Sequence, residues 1–181
     1  MFDGSVLQYY SAVHQYLVYA KLNRWFSPGP ALLRLQDELT LIEGSVGLDH
    51  PFIRNIPTRG IVSIETFSSG IYTCDGTSAL KPVAGSTKAA IGEYPKVYDL
   101  VGQHRGIVLA TRGLYELTAE GHLNRLPLPS ELEGAKFNQL LEIPESHLAV
   151  IFTNRGAFEL DPANRLLRIR GADGIGFGSQ T

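Results

Sequence analysis

A pattern that returns at a fixed distance constrains this chain more than any other feature. Gly106-Ile-Val-Leu-Ala-Thr-Arg-Gly113-Leu-Tyr-Glu-Leu117 recurs 43 residues later as Ala149-Val-Ile-Phe-Thr-Asn-Arg-Gly156-Ala-Phe-Glu-Leu160, without a gap. The same distance before Gly113 stands Gly70, followed by Ile71-Tyr72-Thr73-Cys74, and Arg59-Gly-Ile-Val62 echoes Arg105-Gly-Ile-Val108. A more divergent copy runs from Leu17 to Leu35 with an insertion. Four units follow within a single domain over 1–178: 6–49, 50–94, 95–135 and 136–178. Self-similarity at such a period marks units that cannot bury their apolar faces alone and stack on their neighbours.

Each unit reads as four short strands. First strands are expected at Leu7–Ser11, Phe52–Ile56, Val97–Val101 and Asn138–Ile143, and second strands at Tyr16–Lys21, Gly60–Thr66, Gly106–Thr111 and Leu148–Phe152. Third strands follow at Leu32–Leu35, Ile71–Cys74, Leu114–Leu117 and Ala157–Leu160, and fourth strands at Leu39–Ile42, Leu80–Val83, Leu123–Leu126 and Leu166–Ile169. Leu114 and Glu116 alternate with Tyr115 and Leu117, as in half-buried strands, whereas Ile107–Ala110 and Ala149–Phe152 are continuously apolar, which suits the middle of a sheet. No segment reads as a strong helix; Ser130–Phe137 allows one short turn between units.

Glycine content agrees, at 19 of 181 residues, with hairpin chemistry at Asp75-Gly76, Glu120-Gly121 and Asp161-Pro162. The expected fold is all-β and β-propeller-type, with about four four-stranded antiparallel blades, either a complete ring or a piece of a larger one. A sandwich or meander of the same strands has no need of constant spacing. The glycine-rich tail over 171–181 falls outside the repeat and reads as a linker into a further unit, favouring the piece. An open ring would expose apolar faces on its first and last blades, which a homodimer would cover.

Charge and composition narrow the function. The net charge of −2 leaves no footprint for nucleic acid. No apolar run is long enough to span a membrane, and no signal peptide is visible after Met1. Cys74 is alone, which excludes an intrachain disulfide and a cysteine-rich zinc site; beside Asp75, on an apolar strand, it is expected to pack rather than react. No nucleophile elbow, zincin helix, Walker loop or Cys-x-x-Cys occurs, and no cofactor is expected. Glu65, Glu116 and Glu159 are expected at outward strand positions.

Two side-chain series remain. His14, His104 and His147 each precede the second strand by the same interval, with Thr58 at that place in the second unit. Turn residues copied by descent explain this; three imidazoles on one metal is the sharper alternative, weakened because rim turns of successive blades lie far apart. Arg112 and Arg155 share the turn between second and third strands, and Arg24 lies in the longer equivalent turn beside Trp25. Guanidinium groups on one rim of a propeller suit a carboxylate, phosphate or anionic sugar. Solvated turn charge is the plainer reading. Trp25 is either an exposed recognition residue or a lid folded onto the core.

The units resemble the two-component regulator propeller repeat. The likeness lies in an apolar second strand, a short turn, Gly-Leu-Tyr, a polar hairpin and a last strand, best seen in Gly113–Leu126 and then in Gly156–Ile169. It covers most of residues 50–170. That family often places a tryptophan in the second strand, whereas the single Trp25 here lies in a turn. The resemblance implies an extracytoplasmic sensor domain ahead of a histidine kinase or cyclic-dinucleotide module, usually with more than four blades. The expected function is therefore non-catalytic recognition of a small anionic ligand or a partner protein, through Arg24, Trp25, Arg112 and Arg155. A metal-dependent lactonase or lyase of propeller fold and an architectural oligomerisation domain are the competing classes.

Overall fold

The computed structural model describes residues 2–12, 15–22, 30–35, 39–45, 48, 51–75 and 79–171. The chain is all-β, built from four-stranded antiparallel sheets in which each strand pairs with its neighbour in sequence. Of the first sheet the backbone alone is described: β1 (Phe2–Ala12), β2 (Gln15–Leu22), β3 (Pro30–Leu35) and β4 (Leu39–Leu41) pair in that order. The second sheet holds β5 (Phe52–Ile56), β6 (Ile61–Glu65), β7 (Ile71–Cys74) and β8 (Lys81–Pro82). The third holds β9 (Lys96–Leu100), β10 (Arg105–Ala110), β11 (Gly113–Leu117) and β12 (Leu123–Arg125). The fourth holds β13 (Phe137–Ile143), β14 (Leu148–Thr153), β15 (Gly156–Leu160) and β16 (Leu166–Arg168). Short helical turns fill the links between sheets, α1 (Lys88–Ile91) before the third and a 3-10 turn at Ser130–Leu132 before the fourth.

Pairing registers give the last three sheets a common frame. Ile61, Arg105 and Leu148 open the second strands opposite Ile56, Leu100 and Ile143. Alternation then sends side chains to two opposite faces. In the third sheet Val97, Val108, Ala110, Tyr115 and Leu117 pack on Ile56, Ile71 and Val83 of the second. Its other face, with Leu100, Ile107, Leu109 and Leu114, packs on Leu140, Ala149, Ile151, Phe158 and Leu160 of the fourth. Both faces are buried because a sheet lies on each side, which accounts for the unbroken apolar run of β10. Cys74 is buried with Ile42, Ile53 and Ile64 on the remaining face of the second sheet.

The fourth sheet differs on its outer face. Leu141 and Ile143 stand where the third sheet has Tyr98 and Leu100, yet they are 53% and 40% exposed. Val150 and Phe152, which match Ile107 and Leu109, are only half-buried, and Leu167 beside them is exposed.

Gly70, Gly113 and Gly156 all lie at positive φ (+99°, +148° and +112°) at the head of the third strands. That conformation is open to glycine and strained for other residues. At Gly70 a Cβ would also meet the Ser86 carbonyl oxygen at 2.5 Å.

Candidate functional site

Consecutive sheets are joined at both rims by polar contacts. On one rim the turns from first to second strand lie against the next sheet. The Asp99 carboxylate accepts the Thr58 N–H at 3.1 Å and its hydroxyl. At the matching place one sheet on, the Glu142 carboxylate accepts the Val101 and Gly102 N–H groups at 2.8 and 2.7 Å. Arg59 donates to the Leu117 and Thr118 carbonyls, and Arg105 to Pro162 O and Asn164. These hydrogen bonds fix the stacking of one sheet on the next.

This rim explains the histidine series. His104 and His147 both have φ of +53°, immediately before the second strand, and the residue in that place in the second sheet is Gly60, at +61°. Histidine is among the few non-glycine residues enriched in this left-handed conformation. The expectation of Thr58 at the equivalent position is therefore corrected. The turn after β6 is one residue longer than its counterparts, and matching Arg59-Gly-Ile-Val62 to Arg105-Gly-Ile-Val108 puts Thr58 there, whereas the pairing sets Ile61, two residues on from Arg59, in the place of Arg105. The His147 Nδ1 lies 2.7 Å from Gly102 O, a contact between turns. His14 lies outside the described residues, and among the described residues no group of three His, Cys, Asp or Glu side chains is placed to hold a metal.

The opposite rim carries the turns from second to third strand and the links between sheets. Arg112 donates to Ala89 O on α1, and Arg155 donates to Glu131 O at 2.8 Å on the 3-10 turn. Both arginines thus tie a turn to the link that precedes their own sheet, and they do not converge on one point. Arg112 also lines an open cleft of about 750 Å³ between the third sheet and the link to the fourth, with Arg125, Tyr115, Glu133 and Phe137. Arg24 and Trp25 lie outside the described residues.

A second cavity on this rim, about 410 Å³, opens between the second and third sheets. Phe52, Phe67 and Tyr94 supply aromatic walls, and Arg54, Glu65 and Lys96 complete it. Sequence reading placed Glu65 on an outward position; its side chain is in fact only 3% exposed, because the third sheet covers it. Its carboxylate contacts Arg54 Nε at 2.8 and 3.1 Å and accepts the Val97 N–H at 3.0 Å. Burial pushes the Glu65 carboxyl up from 4.5 to about 7, and the Arg54 charge and the Val97 and Ser63 hydrogen bonds recover only part of that cost. The Arg54 guanidinium lies between the rings of Phe52 and Tyr98, 5.8 and 5.6 Å from their centres. The signal was present in sequence. β6 carries Ser63 and Glu65 where β10 has Ile107 and Leu109, but the unequal turn hides the match.

No family profile matches the sequence, and no curated protein does. Two solved structures resemble the fold, both of the extracellular domain of BT4673 from B. thetaiotaomicron. One, described as belonging to a one component system, has a TM-score of 0.55 and 16% identity, over 89% of this chain and 22% of that one. The other, described as belonging to a hybrid two component system, has a TM-score of 0.57 and 14% identity, over 93% and 23%. The chain thus spans less than a quarter of either protein, and at such identity the likeness speaks for the fold alone.

Proposed function

We propose that this chain is a non-catalytic recognition module, a β-propeller-type stack of four blades over 1–178 that serves as an extracytoplasmic sensor region. The observation that carries the reading is the stacking itself. Successive four-stranded sheets bury an apolar layer between them and place their links and turns on one rim, where clefts open. Loops held on a rigid scaffold are where binding residues concentrate. The extracellular sensor-system domains that share the fold support the same reading, and among the described residues no helix is long and apolar enough to cross a membrane. The ligand is a small anion or an acidic segment of a partner, met by Arg112 and Arg125 in the larger cleft; Arg155 stands on the same rim, and Arg24 and Trp25, outside the described residues, are the further candidates. The exposed Leu141, Ile143 and Leu167 favour a further sheet or a second copy of the chain against the last blade.

The test is titration calorimetry with tricarboxylates, sugar phosphates and uronate oligosaccharides. Replacing Arg112 and Arg125 together by Ala is expected to weaken the best of these at least tenfold. Unchanged affinity, or no binding by any of the panel, overturns the assignment of the cleft.

A further inference from the structure

We infer that the cavity between the second and third sheets is a binding site for a small carboxylic acid that carries an aromatic ring. The site is separate from the Arg112 cleft and does not rest on the sensory reading. Its walls are the rings of Phe52, Phe67 and Tyr94, with Pro51 and Pro95 beside them, so its surface is mostly apolar. Phe52 and Tyr94 are 60% and 65% exposed, an unusual state for two large rings facing one cavity. Tyr94 sits at φ of +51°, where a bulky side chain is strained, and its ring meets Phe67 edge-on at a centroid distance of 4.6 Å. Strain of this kind concentrates at binding sites. The rings therefore form a slot for a flat group, since offset and edge contacts are the favoured aromatic geometries.

The cationic end of the slot fixes the second half of the ligand. Among the described residues Arg54 engages Glu65 through its Nε, which leaves the two terminal amino groups of the fork for a planar oxyanion. Lys96 adds a second positive charge at the rim, where its Nζ donates to Asn138 O at 3.1 Å. Arg54 and Lys96 bring two positive charges to the cavity against the one carboxylate of Glu65, so an uncharged ring would leave one of them unmatched, and a bare anion would leave the rings in water. A ring with one carboxylate answers both. A volume of about 410 Å³ is ample for such a molecule.

The test uses benzoate and phenylacetate as probes, with acetate and benzyl alcohol as the two halves of the ligand. Titration calorimetry on the whole chain is expected to show saturable binding of at least one aromatic acid, ten or more times tighter than either half. Phe52→Ala with Tyr94→Ala removes exposed rings and should weaken binding at least tenfold while leaving the melting temperature within a few degrees. Arg54→Lys keeps a charge but loses the fork, and should weaken the acids more than benzyl alcohol. Lys81→Ala removes an exposed cation that lines neither cavity and should change nothing. Equal affinity for benzyl alcohol and benzoate, no binding of either acid, an unaffected double variant, or loss on Lys81→Ala would each overturn the assignment.

Discussion

The two interfaces flanking the third sheet share one backbone plan and differ in what fills it. Toward the fourth sheet, Tyr98, Leu100, Ile107 and Leu109 meet Ala149, Ile151, Phe158 and Leu160 in a hydrophobic cluster, with the charged contacts kept to its rims. Toward the third sheet, the second sheet presents Arg54, Ser63 and Glu65 at the places of Tyr98, Ile107 and Leu109. Apolar packing at that interface is confined to Ile56, Ile71 and Val83 with their neighbours, and a cavity opens beside it. A buried carboxylate costs stability unless its partners compensate fully, and here burial outweighs them. The comparison separates a joint built for cohesion from one that carries a chargeable group between two sheets.

Removing Phe158 strikes the middle of the apolar interface. Its side chain is fully buried, so Phe158→Ala should cost about 4 kcal/mol. Denaturation in urea measures the loss, and a cost below about 1 kcal/mol would erase the claimed contrast.

The interface that holds Glu65 should reveal itself through pH instead. The folded Glu65 carboxyl holds its proton more tightly than an unfolded one, with a pKa of about 7 against 4.5. Stability is therefore fully present below pH 4.5, falls as the pH climbs toward 7, and levels off above it. The fall attributable to this group is roughly 3 kcal/mol at most. Burial raises the neighbouring Tyr98 hydroxyl further above its usual 10, so it stays neutral throughout that window. The difference between wild-type and Glu65→Gln stability, followed by denaturation from pH 4 to 8, should carry this slope. A flat difference curve would mean that the carboxylate is as well solvated as one on the surface.

The smallest effect should be common to both interfaces. Asp99→Asn and Glu142→Gln each weaken a pair of charge-assisted hydrogen bonds to a turn, and each should cost about 1 kcal/mol. Parallel melts of the two variants give the comparison. A neutral result at one and a large loss at the other would show that the two joints do not share this contact.

Much of the fold was legible because strand alternation and turn chemistry are local. Phe52–Ile56 and Ile71–Cys74 fall where the apolar pattern puts them, and Gly113 and Gly156 occupy the strained backbone their spacing demands. The candidate site was less legible because it forms between units. Glu65 alternates with Ile64, and alternation alone sends it to solvent; only a second sheet on that side makes the position an interior one. Arg112 and Arg155 lie on the turn where the repeat puts them, yet their hydrogen bonds to Ala89 and Glu131 depend on links whose short helical turns leave little mark in the sequence. His104 and His147 drew attention as ligands, while what they share is a backbone conformation.

The carboxylates of Asp99 and Glu142 each reach back to the turn of the preceding sheet. A joint made this way has polarity: one side supplies the acid and the other the amide groups. The fourth sheet turns its acid inward, to the third, and its outer face ends on the turn side of such a joint. Two copies set face to face there across a twofold axis would bring turn against turn with no acid between them, whereas a head-to-tail contact would repeat the joint.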